Sequence, residues 1–552
     1  MRINRRGALA LLGAGAAATP AKAAGTVSFE HGVASGDPLG DRMVFWTRVT
    51  TTSSGPVRGR LLVGASADLK GARAVDIEAS AARDWTVKAD VAGLEPGTDY
   101  WFRFDIAGAS SPVGRARTLP AGAVDVVVLA VASCALYPNG YFNAYGAIAD
   151  LERVDAVIHL GDYIYEYGGP GSYGANSPVA GERPHDPPHE IITLADYRRR
   201  HAQYKSDPQL QAAHARAPWI VAWDDHEVAN DAWQGGAENH DPDKGEGDWA
   251  GRKAAAMRAY YEWMPIREPA PGRSAEMANR AFQFGDLASL LMIETRLTAR
   301  SKQLTYGGDL PMVDGKPDVA AFKALWANAD RRLLAPEQLA WLSETLKGSV
   351  AAGRPWQIIG NQIVMGRVSS PDFRAQLGPE GWANLLAGLP EEYRKPVGQL
   401  SALGAMGLPY NLDAWDGYPA DRERVLAAFK SAGACPVVLA GDSHSFWANE
   451  LHDASGARVA VEFGATSITS PGAGDVIKGV PLNEGFAERN AEVVYTDHSA
   501  KGFVLLTLTR EAATARMMAV STIHARAFTT APLKTFVVSP TAGGGVEALA
   551  EG

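Results

Sequence analysis

Cysteine is nearly absent from the 552-residue chain, which has only Cys134 and Cys435. That excludes a small fold held together by several disulfides and leaves at most one bridge, which an oxidising compartment would permit. No apolar run reaches the ~20 residues of a membrane-spanning helix. There is no long run of Lys and Arg, and the formal net charge is -9. Nucleic acid is therefore excluded as the main partner, because backbone binding needs clustered positive charge. No internal repeat is visible, which excludes a repeat array.

The residues present describe a folded, multidomain protein. Hydrophobic residues make up 46% and charged residues 21%, the balance of a soluble globular chain. At this length one hydrophobic core is not enough, and two or more domains are expected. The first 24 residues carry Arg2, Arg5 and Arg6, then an apolar run from Gly7 to Ala18, then Ala21-Lys22-Ala23. This order reads as an export signal with a small-x-small cleavage site, so the mature chain is expected to start near Ala24 or Gly25. The Arg5-Arg6 pair points to the twin-arginine export machinery, with an ordinary secretory signal as the alternative. A soluble periplasmic or secreted product follows as the expectation, with no transmembrane segment.

Residues 25–120 show short alternating runs such as Met43-Val44-Phe45-Trp46 and Trp101-Phe102-Arg103-Phe104, separated by Gly, Pro and Asp turns. This pattern predicts an all-β sandwich domain. Within it, Leu94-Glu95-Pro96-Gly97-Thr98-Asp99-Tyr100-Trp101-Phe102 resembles the turn and tyrosine corner of fibronectin type III domains. The domain has no cluster of ligand-type residues, so its expected role is structural or substrate-shaping.

From residue 121 to 540 the texture changes. Apolar runs end in polar residues: Val126 to Ala132 before Ser133-Cys134, Ala156 to Leu160 before Gly161-Asp162, and Ile220 to Trp223 before Asp224-Asp225. Trp356 to Gly360 precedes Asn361-Gln362, and Pro436 to Ala440 precedes Gly441-Asp442. Near-continuous apolar strands alternating with helical stretches, such as Leu194 to Tyr204 and Pro336 to Leu346, predict an α/β core of sheets with flanking helices. Reactive groups in such folds gather beyond the carboxyl ends of the strands. Gly168 to Glu190 and Gln234 to Asp248 read as long loops over that face, with His185 and His189 as solvated loop residues. Thr541 to Gly552 reads as a loose tail.

Three strand ends carry candidate chemistry. In Gly161-Asp162-Tyr163-Ile164-Tyr165, a carboxylate can bridge two cations and a phenolate can reach the same ion; the alternative is an Asp that caps a helix beside a packed Tyr. In Trp223-Asp224-Asp225-His226-Glu227, Asp225 can bind a cation while His226 serves as general acid, or the acids cap a helix and His226 only hydrogen-bonds in a loop. In Ala440-Gly441-Asp442-Ser443-His444, side chains two residues apart share one face of an extended segment, so Asp442 and His444 can reach one centre.

These motifs, in this order, resemble the calcineurin-like and purple acid phosphatase superfamily of binuclear metallophosphoesterases. The departures resemble the PhoD-type alkaline phosphatases: Ala132-Ser133-Cys134 at the first strand end, Asp224-Asp225-His226-Glu227, and Gly441-Asp442-Ser443-His444. His31 to Pro38, Trp46-Thr47-Arg48, His159 to Tyr167, Asp196-Tyr197-Arg198 and Trp415 to Pro419 extend the resemblance over both domains.

The resemblance implies an α/β metallophosphoesterase core behind the β domain. It also implies ferric iron (Fe3+) on Cys134, Asp162 and Tyr165, with Asp162 bridging to a second site on Asp225 and Asp442 associated with calcium (Ca2+). His444 completes the iron site or hydrogen-bonds the phosphate. Asn230 and Asn361 are further candidates for the second metal, and Arg296 either holds a substrate group or forms a structural salt bridge. A metal-ligating thiolate is preferred for Cys134 over a disulfide with Cys435.

The implied activity is an exported alkaline phosphatase that acts on phosphate monoesters for phosphate acquisition, with action on diesters left open. The alternatives are a phosphodiesterase with phospholipase D-like activity and, outside the enzymes, an exported binding protein with a decayed catalytic domain.

Overall fold

The computed structural model describes residues 26–169, 173–174 and 177–552. The expected export signal lies outside the described residues. Six strands form the centre: β1 (Val127–Ala132), β2 (Ala156–His159), β3 (Trp219–Val221), β4 (Ala288–Met292), β5 (Trp356–Gly360) and β6 (Pro436–Ala440). The first three run parallel in one sheet and the last three run parallel in a second. Every residue of all six is buried, which is why their sequences are continuously apolar rather than alternating.

Successive side chains on a strand point to opposite faces, and each face here has its own partner. Leu129 and Val131 of β1 meet Leu290, Ile358, Val437 and Leu439 of the second sheet. Val128 and Ala130, on the other face, meet Tyr145, Ile148, Leu210 and Tyr260 from three helices. Behind the second sheet, Leu291, Ile359 and Val438 pack on Leu342, Leu346, Val425 and Phe429. The result is four layers: helices, sheet, sheet, helices. Each fully buried Leu or Ile in these layers contributes about 1.5–3 kcal/mol relative to exposure. The predicted helix at Leu194 is observed as Leu194–Lys205, started by a reciprocal Thr193–Asp196 capping box.

The expected N-terminal sandwich is present, but one of its sheets is shared with the core. Strands Val33–Gly36, Arg42–Arg48 and Thr86–Ala92 join one side of the first central sheet where Gly36 pairs with Trp219 of β3, and four C-terminal strands on the other side bring it to ten. Against them lies a five-stranded sheet containing Val57–Gly64, Arg73–Ala79, Asp99–Ile106 and Gly114–Arg117. Val33, Met43 and Phe45 from one side meet Leu61, Phe102 and Phe104 from the other. The Tyr100 hydroxyl accepts a hydrogen bond from the Glu95 N–H at 2.8 Å, tying the corner. Local alternation could reveal these strands but not their pairing with a segment nearly two hundred residues away.

Two local expectations need correction. His185 is buried, not solvated: its ring nitrogens lie 3.2 Å from the Gly168 carbonyl and 3.2 Å from the Tyr204 hydroxyl. Burial, with the Arg200 charge, pushes its pKa down to about 3. His189 is largely exposed, as expected. The segment after Thr541 is tied back rather than loose, because Val546 is buried and Ala550–Glu551 pairs with the strand Thr530–Val538. Its glycines conceal that pairing from the sequence pattern. Among the described residues, no helix is long and apolar enough to cross a membrane.

Candidate metal centre

All six central strands end on one edge, and the segments that follow them converge there. Cys134 follows β1, Asp162 follows β2, Asp224 and Asp225 follow β3, Arg296 follows β4, Asn361 follows β5 and Asp442 follows β6. Glycines allow the convergence. A Cβ on Gly161, whose φ is +113°, would stand 2.4 Å from the Asp224 backbone nitrogen; one on Gly441 would stand 2.3 Å from Ser133 Oγ. Glu227 locks two of the turns, accepting backbone N–H groups from Asp162 at 3.0 Å, Tyr163 at 2.6 Å and Asp224 at 2.8 Å.

Four candidate ligands have left-handed backbones: Cys134 (φ 62°), Asp162 (φ 55°), Asp442 (φ 62°) and His444 (φ 56°). Non-glycine residues there cost about 1–3 kcal/mol each and persist where the surroundings over-determine them.

The ligand atoms fall into three groups, each with all members within 4.8 Å of one another: Cys134, Asp162 and His444; Asp162, Asp225 and His226; Asp224, Asp225 and Asp442. Asp162 belongs to the first two. Tyr165 joins the first, its hydroxyl 3.0 Å from Asp162 Oδ2 and 3.3 Å from His444 Nε2, and it accepts a hydrogen bond from Ser470 at 2.7 Å. His444 Nδ1 donates to the Pro471 carbonyl at 2.9 Å, which leaves Nε2 with its lone pair facing this group.

Asp162 Oδ1, Asp224 Oδ2 and Asp225 Oδ1 are buried and have no hydrogen-bond partner. Stranding three carboxylate oxygens in a protein interior is costly unless cations meet them. Burial and neighbouring acids push most of this cluster toward its protonated forms, while the Arg296 and His226 charges outweigh burial at Asp225 and hold its carboxyl below the usual range. Burial and the Asp162 charge raise the Cys134 thiol and the Tyr165 phenol well above their usual ranges. Burial raises Asp162 and Asp442, and brings Asp224 up to about 6. A bound cation reverses this logic, deprotonating a coordinating thiol outright. Thiolate, phenolate, carboxylate and imidazole together suit a transition-metal cation, and the all-carboxylate group suits a hard oxygen-seeking cation.

His226 is held by a residue absent from the sequence-based candidates. Its Nδ1 donates to Glu166 Oε2 at 2.7 Å, and Glu166 also accepts from the Asn230 N–H and the Asn239 amide. Burial opposes a charged imidazole here, but Asp225, Glu166 and Asp162 outweigh it and hold its pKa well above the usual value. Glu166 directly follows Tyr165, so its place in the motif was a usable signal. Asp413 lies in no strand-end motif and carried none.

Arg296 sits among four carboxylates: Asp224 at 2.5 Å, Asp413 at 2.5 Å, Asp442 at 3.1 Å and Asp225 at 3.6 Å. It is fully buried. Of the two readings open from sequence, these contacts match the structural salt bridge. Removing one partner of a buried ion pair costs about 3–5 kcal/mol because the others are left uncompensated. Arg296→Met should therefore lower the thermal unfolding midpoint of metal-depleted protein clearly, and an unchanged midpoint would contradict the network.

Both polar atoms of Asn361 are engaged, by Trp415 Nε1 at 3.0 Å and by the Ile363 carbonyl. Asn230 accepts from the Tyr167 hydroxyl and donates to Glu238, each at 3.0 Å. Cys435 stands at the start of β6 and Asp442 beyond its end, so the five-residue strand separates Cys435 from the metal edge by ~16 Å. Both cysteines are free and buried, and a disulfide requires Cα atoms within about 7 Å.

A two-sheet α/β core with this donor set at its carboxyl edge defines a metal-binding hydrolase. The comparisons specify which one. Residues 129–517 match the PhoD-like phosphatase family, and residues 15–120 match the N-terminal domain of PhoD-like phosphatases. Alkaline phosphatase D of Bacillus subtilis (strain 168) is 38% identical over 469 residues, which are 81% of this chain and 70% of that protein. A solved structure of PhoD superposes with a TM-score of 0.76 at 33% identity, covering 95% of this chain and 92% of that one. The chain belongs to the PhoD-like phosphatase family and is a phosphoric ester hydrolase.

Proposed function

We propose that the protein is an exported alkaline phosphatase that hydrolyses phosphate monoesters for phosphate acquisition, reaching the periplasm or exterior through the twin-arginine machinery. The observation that carries the active-site reading is the chain of ligand groups linked through Asp162 and Asp225, with three carboxylate oxygens left unpartnered. Cys134, Asp162, Tyr165 and His444 would hold ferric iron, and Asp225 and Asp442, with Asp224, would hold calcium. The β domain, fibronectin III-like in its Tyr100 corner, would brace the sheet that carries β3.

Bound cations would supply positive charge against the phosphoryl oxygens and lower the pKa of a nearby water. The chain's own residues do the rest. Glu166 fixes His226 through Nδ1, so the remaining Nε2 is the nitrogen available to protonate a departing alkoxide. The buried edge excludes bulk water, which strengthens each of these interactions. His226→Gln should reduce turnover of an alkyl phosphate by roughly 10²–10⁴-fold, and that of p-nitrophenyl phosphate far less, because p-nitrophenolate leaves without a proton. Equal losses on both substrates would rule out the acid role.

Elemental analysis of active protein, alongside rates on p-nitrophenyl phosphate and its bis-ester, tests the proposal. Iron, calcium and preference for the monoester are expected. Strong preference for the bis-ester would replace this reading with the phosphodiesterase.

A further inference from the structure

A cavity of about 930 Å³ adjoins the metal edge, and nothing in the chemistry above uses it. Tyr173 is the wall shared by the two. Its hydroxyl donates to the Pro471 carbonyl at 2.8 Å and lies 3.2 Å from His444 Nδ1, while Tyr173 and Pro471 also line the cavity. Beyond them the lining includes Val520 and Ile523, both buried, and Val476 and Leu533, which are 50% and 41% exposed.

Exposed large aliphatic side chains are few among the described residues, and two of them frame this one cavity. Grouped apolar exposure of this kind marks binding surfaces, and cavities of roughly 300–1,000 Å³ take small organic groups. The charged groups of the wall are mostly matched already. Lys501 pairs with Asp475 at 2.6 Å, and Asp497 accepts the N–H groups of Ser499 at 3.0 Å and Ala500 at 2.7 Å. Lys478 also lines the cavity, so a ligand group meets the aliphatic surface of Val476, Val520, Ile523 and Leu533 alongside that one cation.

We propose that this cavity is the subsite for the organic group of the phosphoester, and that Val476 and Leu533 are specificity-determining residues favouring apolar chains. The inference rests on the reading of the adjoining edge as the phosphoester site. The phosphoryl group, held at the edge, would direct its ester substituent past Tyr173 into the cavity. Each methylene that leaves water there strengthens binding by up to about fourfold.

Non-hydrolysable n-alkylphosphonates, from ethyl to octyl, test this as inhibitors of p-nitrophenyl phosphate hydrolysis by the metal-loaded enzyme. The inhibition constant should fall about 10-fold or more from ethyl to hexyl. In Val476→Asp and Leu533→Asp, both at exposed positions, this dependence on chain length should flatten. Inhibition by inorganic phosphate should stay unchanged in both variants, since neither residue touches the phosphoryl site. Inhibition independent of chain length in the parent enzyme, or a slope unaltered in both variants, would overturn the subsite. Absence of p-nitrophenyl phosphate turnover in metal-loaded parent enzyme would instead overturn the phosphoester reading, and the subsite with it.

Discussion

Asp162→Asn should lower kcat/KM for p-nitrophenyl phosphate by roughly 10³-fold or more, the scale expected when a metal centre worth several kcal/mol to the transition state is lost. Asp162 links the Cys134–His444 group to the group that contains Asp225, and its Oδ1 has no hydrogen-bond partner. The amide keeps the shape and can still accept from Tyr165, whose hydroxyl is 3.0 Å from Oδ2 in the parent. What it removes is the charge that would bridge two cations. Metal content should fall on both sites together, while far-ultraviolet circular dichroism stays at the parent level. Parent-like metal content and turnover in this variant would defeat the binuclear assignment.

Cys134→Ala should have the second-largest effect, and a more selective one: loss of iron, loss of any visible tyrosinate-to-iron absorption, and a fall in turnover of at least roughly 10²-fold. Alanine retains Cβ, so the left-handed backbone at φ 62° is no more and no less strained than before. The side chain is fully buried, and removing one buried sulfur costs stability only on the order of 1 kcal/mol. A large change in metal and colour therefore cannot be attributed to unfolding. Elemental analysis beside the visible spectrum measures it, and retained iron with retained activity would refute the thiolate ligand.

The parts of the site that were legible in the sequence are those set by strand ends. Cys134, Asp162, Asp225 and Asp442 each follow an apolar strand directly, and a strand end is a local property. Tyr165, His226 and His444 could be added because they lie within a few residues of those ends. Glu166 escaped notice although it stands inside the same motif, since its function depends on where the His226 ring arrives. Asp413 could not have been found at all, because its approach to Arg296 at 2.5 Å joins segments 117 residues apart. Likewise His185 reads as a loop histidine until the loop folds onto Tyr204.

By itself, the sequence determined the strand and helix pattern, the two-part organisation and the residue types at the carboxyl edge. All of these follow from short-range periodicity and from the identity of the residue that ends each apolar run. Tertiary structure alone decided that the N-terminal sandwich donates three strands to the central sheet. It also decided that Arg296 is locked among carboxylates and that Tyr173 stands between the metal edge and a large cavity. The reason is the same each time. Pairing, burial and charge compensation depend on which distant segments meet, and neither periodicity nor spacing within a segment records that.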